Sequence, residues 1–377
     1  MKHVLLNLIY LNHGVGGAWN YTANFIKSLP PSDNITYYAI CNNQSRKLAI
    51  EAVPESNIAV VCSQSQSSNL LARTYFELTS TRRYVKQWNI DAVHWFGNHA
   101  LSSGNTICFI TVHDLQPLEH DYFSLKRWYH KLLYTRDATN YNNIFIPISD
   151  FTNRKLRSLI KPKVVTDIAI PNALPSQFTN SKSTYNQQIA IHLPSAPYLL
   201  YVSHFYPHKN HIRLIEAFEL IANKLPDIQL VLRGDQHHAY EKTLRRIKLS
   251  RFRDRIIVLP RLDISELHLV YQQAKGLIFP SMYEGGGIPV MEAYSCQLPV
   301  ACSNLPVFNE FYEDLPTYFD PTSVEEIKKA MKWLIDFEKD DEFIRRTEAV
   351  VSKFNISRNT RRLKKIYNKY LFRNNSR

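Results

Sequence analysis

The sequence predicts an α/β protein made of two doubly wound units. Three observations support this fold class. Short apolar runs alternate with helical patterns up to about residue 175, and the same alternation resumes at residue 197. The stretch between them, residues 176–196, is polar and has only weak periodicity, which is typical of a linker. A chain of 377 residues is also long enough to form two separate cores.

Six short apolar runs in the N-terminal part predict six strands. Strands that alternate with helices form a parallel sheet covered by helices. Ligands of such sheets bind beyond the carboxyl ends of the strands. The runs cover residues 4–11, 37–40, 58–61, 92–95, 107–112 and 144–148.

Two features of this part directly follow predicted strands. Gly16 and Gly17 come after the first run, and paired glycines let a helix begin close to a ligand. We therefore count them among the candidate residues that bind the donor diphosphate; a plain turn is the alternative. His113 follows the fifth run and precedes Asp114. It is a candidate ligand contact, and a satisfied structural histidine is the alternative.

The C-terminal part repeats the pattern. Predicted strands cover residues 198–202, 228–232, 256–259, 276–280 and 299–302. Ser323 and Glu326 match a capping box at the start of a later helix. The tail carries one apolar stripe at helical spacing, formed by Leu363, Ile366, Tyr367 and Tyr370.

The segment 279–293 carries the most specific signal. A buried strand is followed by three glycines, and Pro289 stands where a first helical residue belongs. Free N–H groups and the positive end of the helix dipole would converge there, which suits a phosphate. Glu284 and Glu292 flank this site, and carboxylates can accept hydrogen bonds from a sugar diol. A glycine-rich turn with a helix-capping acid and no ligand is the alternative.

This pair of glutamates, with seven residues between them that include Gly-Gly-Gly-Ile-Pro, resembles the donor-site signature of retaining glycosyltransferases of family 4, the glycosyl transferases group 1. The resemblance implies the GT-B fold, with two Rossmann-like domains facing across a cleft. It assigns Glu284 to the donor sugar and Glu292 to the nucleotide ribose. It places the donor diphosphate on the backbone of Gly286, Gly287, Ile288, Pro289 and Val290.

The same resemblance extends along most of the chain. It places Lys209 as the cation on the donor diphosphate and His113 opposite the transferred sugar. His204 stands where the family often has arginine, so we expect it to supply a donor or a partial charge. The loop with Arg261 and Leu262 resembles the one that packs around the nucleotide base.

The resemblance also implies the domain organisation. Residues 1–175 would form the acceptor domain, 176–196 the linker and 197–355 the nucleotide-sugar donor domain. Residues 356–377 would form a terminal helix that crosses back to the first domain. A hinge in the linker would bring Gly16, Gly17 and His113 toward Lys209 and Glu284 and would exclude water.

The implied activity is transfer of a hexose from a nucleoside-diphosphate sugar to a glycan or lipid-linked acceptor, with retention of configuration. GDP-mannose is the first choice of donor, and synthesis of O-antigen, lipopolysaccharide or capsule is the associated process. Charge on the leaving phosphate would be stabilised by Lys209, His204 and helix-start amides. No acidic cluster resembles a metal cage, so we expect neither metal nor cofactor. A nucleotide-sugar epimerase of the same fold is the enzymatic alternative.

The composition of the chain indicates what kind of partner it binds and in which compartment it folds. Forty-six Lys and Arg against 33 Asp and Glu leave a net charge of +13, which favours an anionic partner. A nucleic-acid-binding protein is the non-enzymatic alternative, but no nucleic-acid-binding motif supports it. Five scattered cysteines predict a reducing compartment, and no apolar run is long enough to span a membrane. We therefore expect a cytoplasmic protein.

One basic segment suggests peripheral contact with the inner face of the cytoplasmic membrane. An amphipathic helix with a solvated basic face is the ordinary interpretation; docking on an anionic membrane is the alternative. The apolar stripe is Leu125, Trp128, Tyr129 and Leu132, and the surrounding basic residues are Lys126, Arg127, His130, Lys131 and Arg136.

Overall fold

The computed structural model describes residues 1–11, 17–30, 34–101, 105–119, 125–174, 178 and 196–372. The chain divides into two compact units. Unit 1 comprises Met1–Ala173 and Phe354–Arg377, and unit 2 comprises Leu174–Lys353. Apart from residues 178 and 196, the predicted linker at 176–196 lies outside the described residues.

Unit 1 is built on a parallel sheet of six strands in the order β3-β2-β1-β4-β5-β6. Every strand pairs in parallel with its neighbours, because a helix or a longer crossover connects consecutive strands. The strands are β1 Lys2–Leu8, β2 Ile35–Asn42, β3 Ile58–Cys62, β4 Ala92–Trp95, β5 Ile107–Val112 and β6 Asn143–Pro147.

Helices pack on both faces of this sheet, and each face has its own apolar cluster. Several helices begin at side-chain caps; Asn69, for example, accepts hydrogen bonds from the first-turn amides of α4. The helices are α1 Gly17–Lys27, α2 Arg46–Ala52, α3 Gln64–Ser68, α4 Leu70–Gln87, α5 Gln116–Glu119, α6 Leu125–Thr139 and α7 Asp150–Lys155, which continues as a π-helix, Leu156–Ile160.

The C-terminal helix, Ile356–Leu371, belongs to unit 1. Its apolar stripe places Leu363, Ile366 and Tyr367 in the core cluster on one face of the sheet. The hydroxyl of Tyr367 lies 2.9 Å from Nδ1 of the buried His94 on β4. This polar contact joins the last helix of the chain to a central strand of unit 1.

Unit 2 repeats the architecture, with the strand order β12-β11-β10-β7-β8-β9. The strands are β7 Tyr198–Val202, β8 Gln229–Arg233, β9 Ile256–Leu259, β10 Gly276–Phe279, β11 Val300–Ser303 and β12 Thr317–Phe319. The helices are α8 His211–Ala222, α9 Tyr240–Lys248, α10 Ile264–Gln273, α11 Ile288–Ser295, α12 Pro306–Tyr312, α13 Val324–Asp336 and α14 Asp341–Ser352.

The predicted fold class is confirmed, because both units are parallel sheets flanked by helices. All eleven predicted strands exist. The first begins at Lys2 and ends at Leu8, three residues before its predicted end, because Leu11 N–H turns back to the Leu8 carbonyl. No helix in the described part of the chain has the length and apolar character needed to cross a bilayer.

Each sheet contains one point at which the strand order reverses direction. In unit 1 it lies between β1 and β4, and in unit 2 between β7 and β10. The loops that leave two such neighbouring strands diverge to opposite faces and open a crevice at the carboxyl edge. The strand order therefore predicts one ligand crevice in each unit.

Candidate active site

In unit 2, the loops that follow β7 and β10 are joined by hydrogen bonds. The Met282 N–H donates to the His208 carbonyl at 2.8 Å. Asn210 donates from Nδ2 to the Pro280 carbonyl at 3.1 Å and to the Pro321 carbonyl at 2.7 Å. Asn210 adopts a left-handed conformation with φ 63° and ends the short 3-10 turn Pro207–Lys209. The two loops thus form one fixed wall of the crevice.

Lys209 and Glu284 meet directly at this wall. The Lys209 Nζ lies 2.5 Å from Glu284 Oε1, and the two side chains are only 15% and 11% exposed. The Lys209 carbonyl accepts a hydrogen bond from the Tyr201 hydroxyl at 2.6 Å, which orients the lysine. An ammonium and a carboxylate are therefore held side by side at the carboxyl end of the sheet, where one can face an anionic group and the other a hydroxyl.

The helix after the glycines begins with unpaired amides. Gly287 is the N-cap of α11, with φ 61° and ψ 50°. A Cβ at Gly287 would lie 2.3 Å from Phe308 Cε1, so only glycine fits without displacement. Among the described residues, no group accepts a hydrogen bond from the N–H of Gly286, Gly287 or Ile288. Three donors and the positive end of the helix dipole are thus available to an anion.

His204 follows β7 and contacts the turn after β8, which lies on the side of β7 away from β10. The Asp235 N–H donates to His204 Nδ1 at 3.1 Å, so the ring hydrogen is on Nε2. Gly234 allows this contact, because a Cβ there would lie 1.9 Å from the Ser203 carbonyl oxygen. Burial, with help from nearby cationic groups, lowers the pKa of His204 to about 4. His204 is therefore neutral at pH 7 and acts as a hydrogen-bond donor.

Glu292 is buried within the same unit. Its Oε2 accepts a hydrogen bond from the Tyr271 hydroxyl at 2.8 Å, and Glu292 is only 5% exposed. Burial raises the pKa of Glu292 to about 7, although Tyr271 and the charge of Arg233 oppose the shift. Its second carboxylate oxygen has no hydrogen-bond partner among the described residues. Glu292 can therefore exist in both protonation states near neutral pH.

Arg233 at the end of β8 connects these groups. Its Nη1 lies 3.3 Å from Asp235 Oδ1, the carboxylate of the residue whose N–H binds His204. Its charge also acts on Glu292. The Nε of Arg233 is buried and has no hydrogen-bond partner among the residues described. A second, mostly buried cation therefore lies at the carboxyl edge of the same sheet as Lys209.

A family model described as "Glycosyl transferases group 1" matches residues 186–349, which include all of these groups. The protein is a glycosyltransferase, and its residues 186–349 match the group 1 family. This finding confirms the family that the glutamate pair indicated and the transferase activity that the family implies.

Curated relatives of this glycosyltransferase carry related names. The O-antigen chain mannosyltransferase RfbU of Salmonella typhimurium is 23% identical over 342 residues, which are 87% of this chain and 90% of the relative. The O-antigen chain mannosyltransferase B of Escherichia coli is 30% identical over 131 residues, or 34% of each chain.

Solved structures resemble the glycosyltransferase over its full length. A glycosyltransferase from Rickettsia africae ESF-5 has a TM-score of 0.73 at 16% identity and covers 99% of both chains. Anabaena HepE, solved in complex with UDP and glucose, has a TM-score of 0.72 at 16% identity and covers 98% of this chain and 100% of its own. The likeness confirms the GT-B fold class.

The described donor-side residues of the glycosyltransferase are concentrated at the carboxyl edge of the unit 2 sheet. Lys209 and Glu284 are in contact, and the start of α11 follows Glu284 directly. Two members of the predicted diphosphate set offer no N–H: Pro289 has none, and the Val290 N–H donates to the Gly287 carbonyl. Ile288, not Pro289, is the first helical residue. The ligand roles of these residues remain predictions.

The predicted base loop has one buried and one exposed member. Leu262 is buried, and Arg261 is exposed. The loop ends at Asp263, which forms a capping box with Glu266 at the start of α10. This cap positions the loop, and Arg261 is the member whose side chain can reach a ligand.

The predicted acceptor-side residues lie in unit 1. Gly16 is outside the described residues, and Gly17 is the first residue of α1. His113 donates from Nε2 to the Phe96 carbonyl at 2.8 Å, and its ring contacts Tyr21 edge-on at 4.8 Å. Burial lowers the pKa of His113 to about 4. The ring is therefore neutral, and only Nδ1 remains to accept a hydrogen bond from a ligand.

Sequence analysis missed Arg233 and Tyr271. Arg233 directly precedes the predicted Gly-Asp turn at the end of a strand, which is a position where a cation faces the ligand edge. Its spacing alone could have identified it. Tyr271 has no such signal, because Tyr271 and Glu292 lie on different helices and are 21 positions apart along the chain.

Proposed function

We propose that the glycosyltransferase moves a hexose from a nucleoside-diphosphate sugar to a glycan or lipid-linked acceptor, with retention of the anomeric configuration. The bond from the sugar C1 to the leaving phosphate oxygen breaks, and a bond from C1 to the acceptor oxygen forms on the same face. The acceptor hydroxyl proton passes to the departing phosphate. No protein nucleophile is assigned.

One observation carries this proposal: Lys209, Glu284 and the three unpaired amides of Gly286, Gly287 and Ile288 occur together where the order of the unit 2 sheet reverses. Negative charge grows on the diphosphate as the donor bond breaks, and preorganised donors at that position lower the barrier. Lys209 and the amides would bind the diphosphate. Glu284, held beside Lys209, would accept hydrogen bonds from the sugar hydroxyls.

We assign the remaining positive charge to Arg233 rather than to His204. His204 stands where the family often has arginine, but its pKa of about 4 leaves it neutral at pH 7. Arg233 is always charged, and it contacts Asp235, whose N–H binds His204. Within the described residues, the Nε of Arg233 has no hydrogen-bond partner. His204 would add one hydrogen bond from Nε2. Because these groups supply the cationic charge, we propose that turnover needs no metal ion.

The relatives named as O-antigen chain mannosyltransferases favour mannose, carried by GDP, as the transferred sugar and surface polysaccharide as the product. The likeness to a structure solved with UDP makes UDP-glucose the first competitor. Glu292 would read the ribose through the carboxylate oxygen that Tyr271 leaves free. This assignment is independent of the base, so the donor must be identified by binding.

A thermal-shift series with GDP-mannose, UDP-glucose, ADP-glucose and dTDP-glucose tests the proposal. We expect GDP-mannose to raise the melting temperature most. Lys209→Met and Glu284→Gln should lower kcat about 10²–10³-fold, the usual cost of losing one group aimed at developing charge. Lys248→Met, at an exposed lysine of the same unit, is the matched control. Full activity of both site variants would contradict the site, and free epimer formed without acceptor would identify an epimerase instead.

We also propose that α6 contacts an anionic membrane at the cytoplasmic face, where a lipid-linked acceptor would be presented. Trp128 and Leu132, predicted on a stripe, are 66% and 52% exposed, whereas Leu133 and Tyr134 are buried. The buried face is therefore shifted by one residue from the predicted one, and Trp128 and Leu132 point to solvent beside the exposed Arg127 and Lys131. Exposed aromatic and basic side chains on one helix suit a lipid interface.

Sedimentation with anionic and neutral vesicles tests this contact. We expect binding to anionic vesicles only, and a loss of binding in Trp128→Ser. Leu249→Ser, at an apolar residue of unit 2 that is at least as exposed, should bind like the wild type. Equal sedimentation with both lipid compositions would contradict the proposal.

A further inference from the structure

Unit 1 contains a pocket that the donor chemistry does not use. It lies at the carboxyl ends of β1 and β4, between which the order of the unit 1 sheet reverses, and it is closed by α4 and α6. Asn7 and Trp95 come from the strand ends, Glu77 from α4 and Tyr129 from α6. The pocket therefore occupies the one position in this sheet where topology predicts a ligand crevice.

A buried carboxylate without a partner lines this pocket. Glu77 is 6% exposed, and no described residue donates a hydrogen bond to its carboxylate. Burial raises the pKa of Glu77 to about 7, and the charge of Arg73, one turn earlier on α4, opposes the shift. Buried acids almost always have hydrogen-bond partners. The carboxylate of Glu77 can therefore accept hydrogen bonds from a group that enters the pocket.

Two buried donors in the same lining are also unsatisfied. The Nε of Arg73 and the indole Nε1 of Trp95 have no hydrogen-bond partners within the described ranges. Arg73 and Trp95 thus line the same space as Glu77, and their unmet donor atoms are buried in its wall. This combination fits a ligand that both donates and accepts hydrogen bonds, as a sugar hydroxyl does.

The apolar part of the wall suits the face of a sugar ring. Tyr10, Trp95, Phe96 and Tyr129 line the pocket with aromatic groups. The cavity has a volume of about 80 Å³. On the same measure one water needs roughly 10–15 Å³, so the cavity has room for several water molecules. A ring of the size of one pyranose can therefore enter, whereas a nucleotide is much larger.

We propose that this pocket binds a neutral pyranose of the acceptor glycan, with Glu77 accepting hydrogen bonds from its hydroxyls and Arg73 and Trp95 donating to its oxygens. This inference rests on the proposed function, because only a sugar-transferring enzyme needs an acceptor glycan. Glu77 disfavours a phosphate or an acidic sugar, since like charges would be buried together. Aromatic walls with a few convergent polar groups are typical of small-ligand sites.

Saturation-transfer NMR with a panel of methyl pyranosides tests the pocket without any donor. The panel comprises the methyl glycosides of mannose, glucose, galactose, rhamnose and N-acetylglucosamine. We expect at least one to receive saturation from the wild-type protein, and Glu77→Gln to weaken its affinity at least about tenfold. Glu51→Gln, at an exposed glutamate of the same unit, should bind like the wild type. Trp95→Phe keeps the aromatic wall but removes the indole donor, so it should weaken binding to a smaller extent.

Kinetics and donor binding separate this inference from the proposed function. Glu77→Gln should raise the KM for the acceptor and leave the thermal shift by the nucleotide sugar unchanged. No saturation of any glycoside by the wild type, or equal saturation in Glu77→Gln, would overturn the pocket assignment. A wild-type protein that binds glycosides but no nucleotide sugar would instead refute the proposed function and leave a sugar-binding pocket.

Discussion

Replacing Gly287 by alanine should destabilise unit 2 and disturb the helix start that faces the donor. Two penalties act together. Gly287 has φ 61°, and a left-handed conformation costs an L-residue about 1–2 kcal/mol. The new Cβ would lie 2.3 Å from Phe308 Cε1 and 3.2 Å from two further ring atoms. Contact of this kind in a packed core costs about 1–3 kcal/mol.

The ring of Phe308 cannot yield easily, because the residue is fully buried and packs against Phe279. We therefore expect the free energy of unfolding to fall by about 2–5 kcal/mol, the sum of the two penalties. The Gly287 carbonyl also accepts a hydrogen bond from Tyr312 at 3.1 Å. A shift at Gly287 would weaken this bond and move the amides that we assign to the diphosphate.

Urea unfolding, followed by both circular dichroism and tryptophan fluorescence, measures the effect. In a Phe308→Leu background the clash is removed and the backbone strain remains, so the additional cost of Gly287→Ala should fall to about 1–2 kcal/mol. Gly17→Ala is the matched control, since a Cβ at Gly17 meets nothing within 4 Å. There we expect a neutral effect or a gain of about 0.4–1 kcal/mol from reduced freedom of the unfolded chain.

Two results would refute this reasoning. One is a change below about 0.5 kcal/mol in Gly287→Ala, which is the range of ordinary surface substitutions. The other is an unchanged cost in the Phe308→Leu background. The first would show that neither penalty operates, and the second that the ring of Phe308 does not limit the space at Gly287.

Four further predictions concern charge, protonation and packing. In His204→Gln one neutral hydrogen-bond donor replaces another, so kcat/KM for the nucleotide sugar should stay within about fivefold of the wild type. Arg233→Met removes a charge and should lower kcat/KM about 10²-fold. If His204 carried the charge, steady-state kinetics would instead show the larger loss in His204→Gln. Glu292 has its pKa raised from 4.5 to about 7 in the folded protein, so its contribution to stability is complete below pH 4.5 and is lost as the pH rises through 7. Glu292→Gln should therefore melt higher than the wild type at pH 8 and similarly at pH 4.5, and a difference independent of pH would contradict this. Tyr367→Phe should cost about 1–3 kcal/mol in urea unfolding, because it leaves Nδ1 of the buried His94 without a partner while Nε2 keeps its contact with Thr111. Tyr370→Phe, at a partly buried tyrosine of the same helix, should cost less. Transfer activity should survive EDTA, and a loss of more than tenfold that added Mg²⁺ restores would contradict a metal-independent mechanism.

Much of the fold was predictable because periodicity is a local property. The apolar runs of β1 to β11 identified parallel sheets, and only their ends were misplaced by a few residues, as at Leu8. The stripe of α6 was predicted one residue out of register, because Trp128 and Leu132 have the spacing of a buried face but lie on the solvent side. Spacing defines a face of a helix, but the neighbouring elements decide whether that face is covered.

The candidate site was only partly predictable. Lys209, Glu284 and Gly287 could be predicted because each lies in a short motif of consecutive residues that follows a predicted strand. Their mutual contact, and the bond from Tyr271 to Glu292, could not, because these pairs join loops and helices from separate parts of the chain. The neutral state of His204 was equally hidden, since burial by its neighbours lowers its pKa.

The sequence by itself determined the two-sheet architecture, the family and the helix start at the glycines, because each depends on residue types at short spacing. Only the tertiary structure decided which charges are paired, which histidines are neutral, and that Glu77 faces a pocket without a partner. The physical reason is that desolvation and ion pairing depend on which segments pack together. Those neighbours are distant along the chain, and no local pattern encodes them.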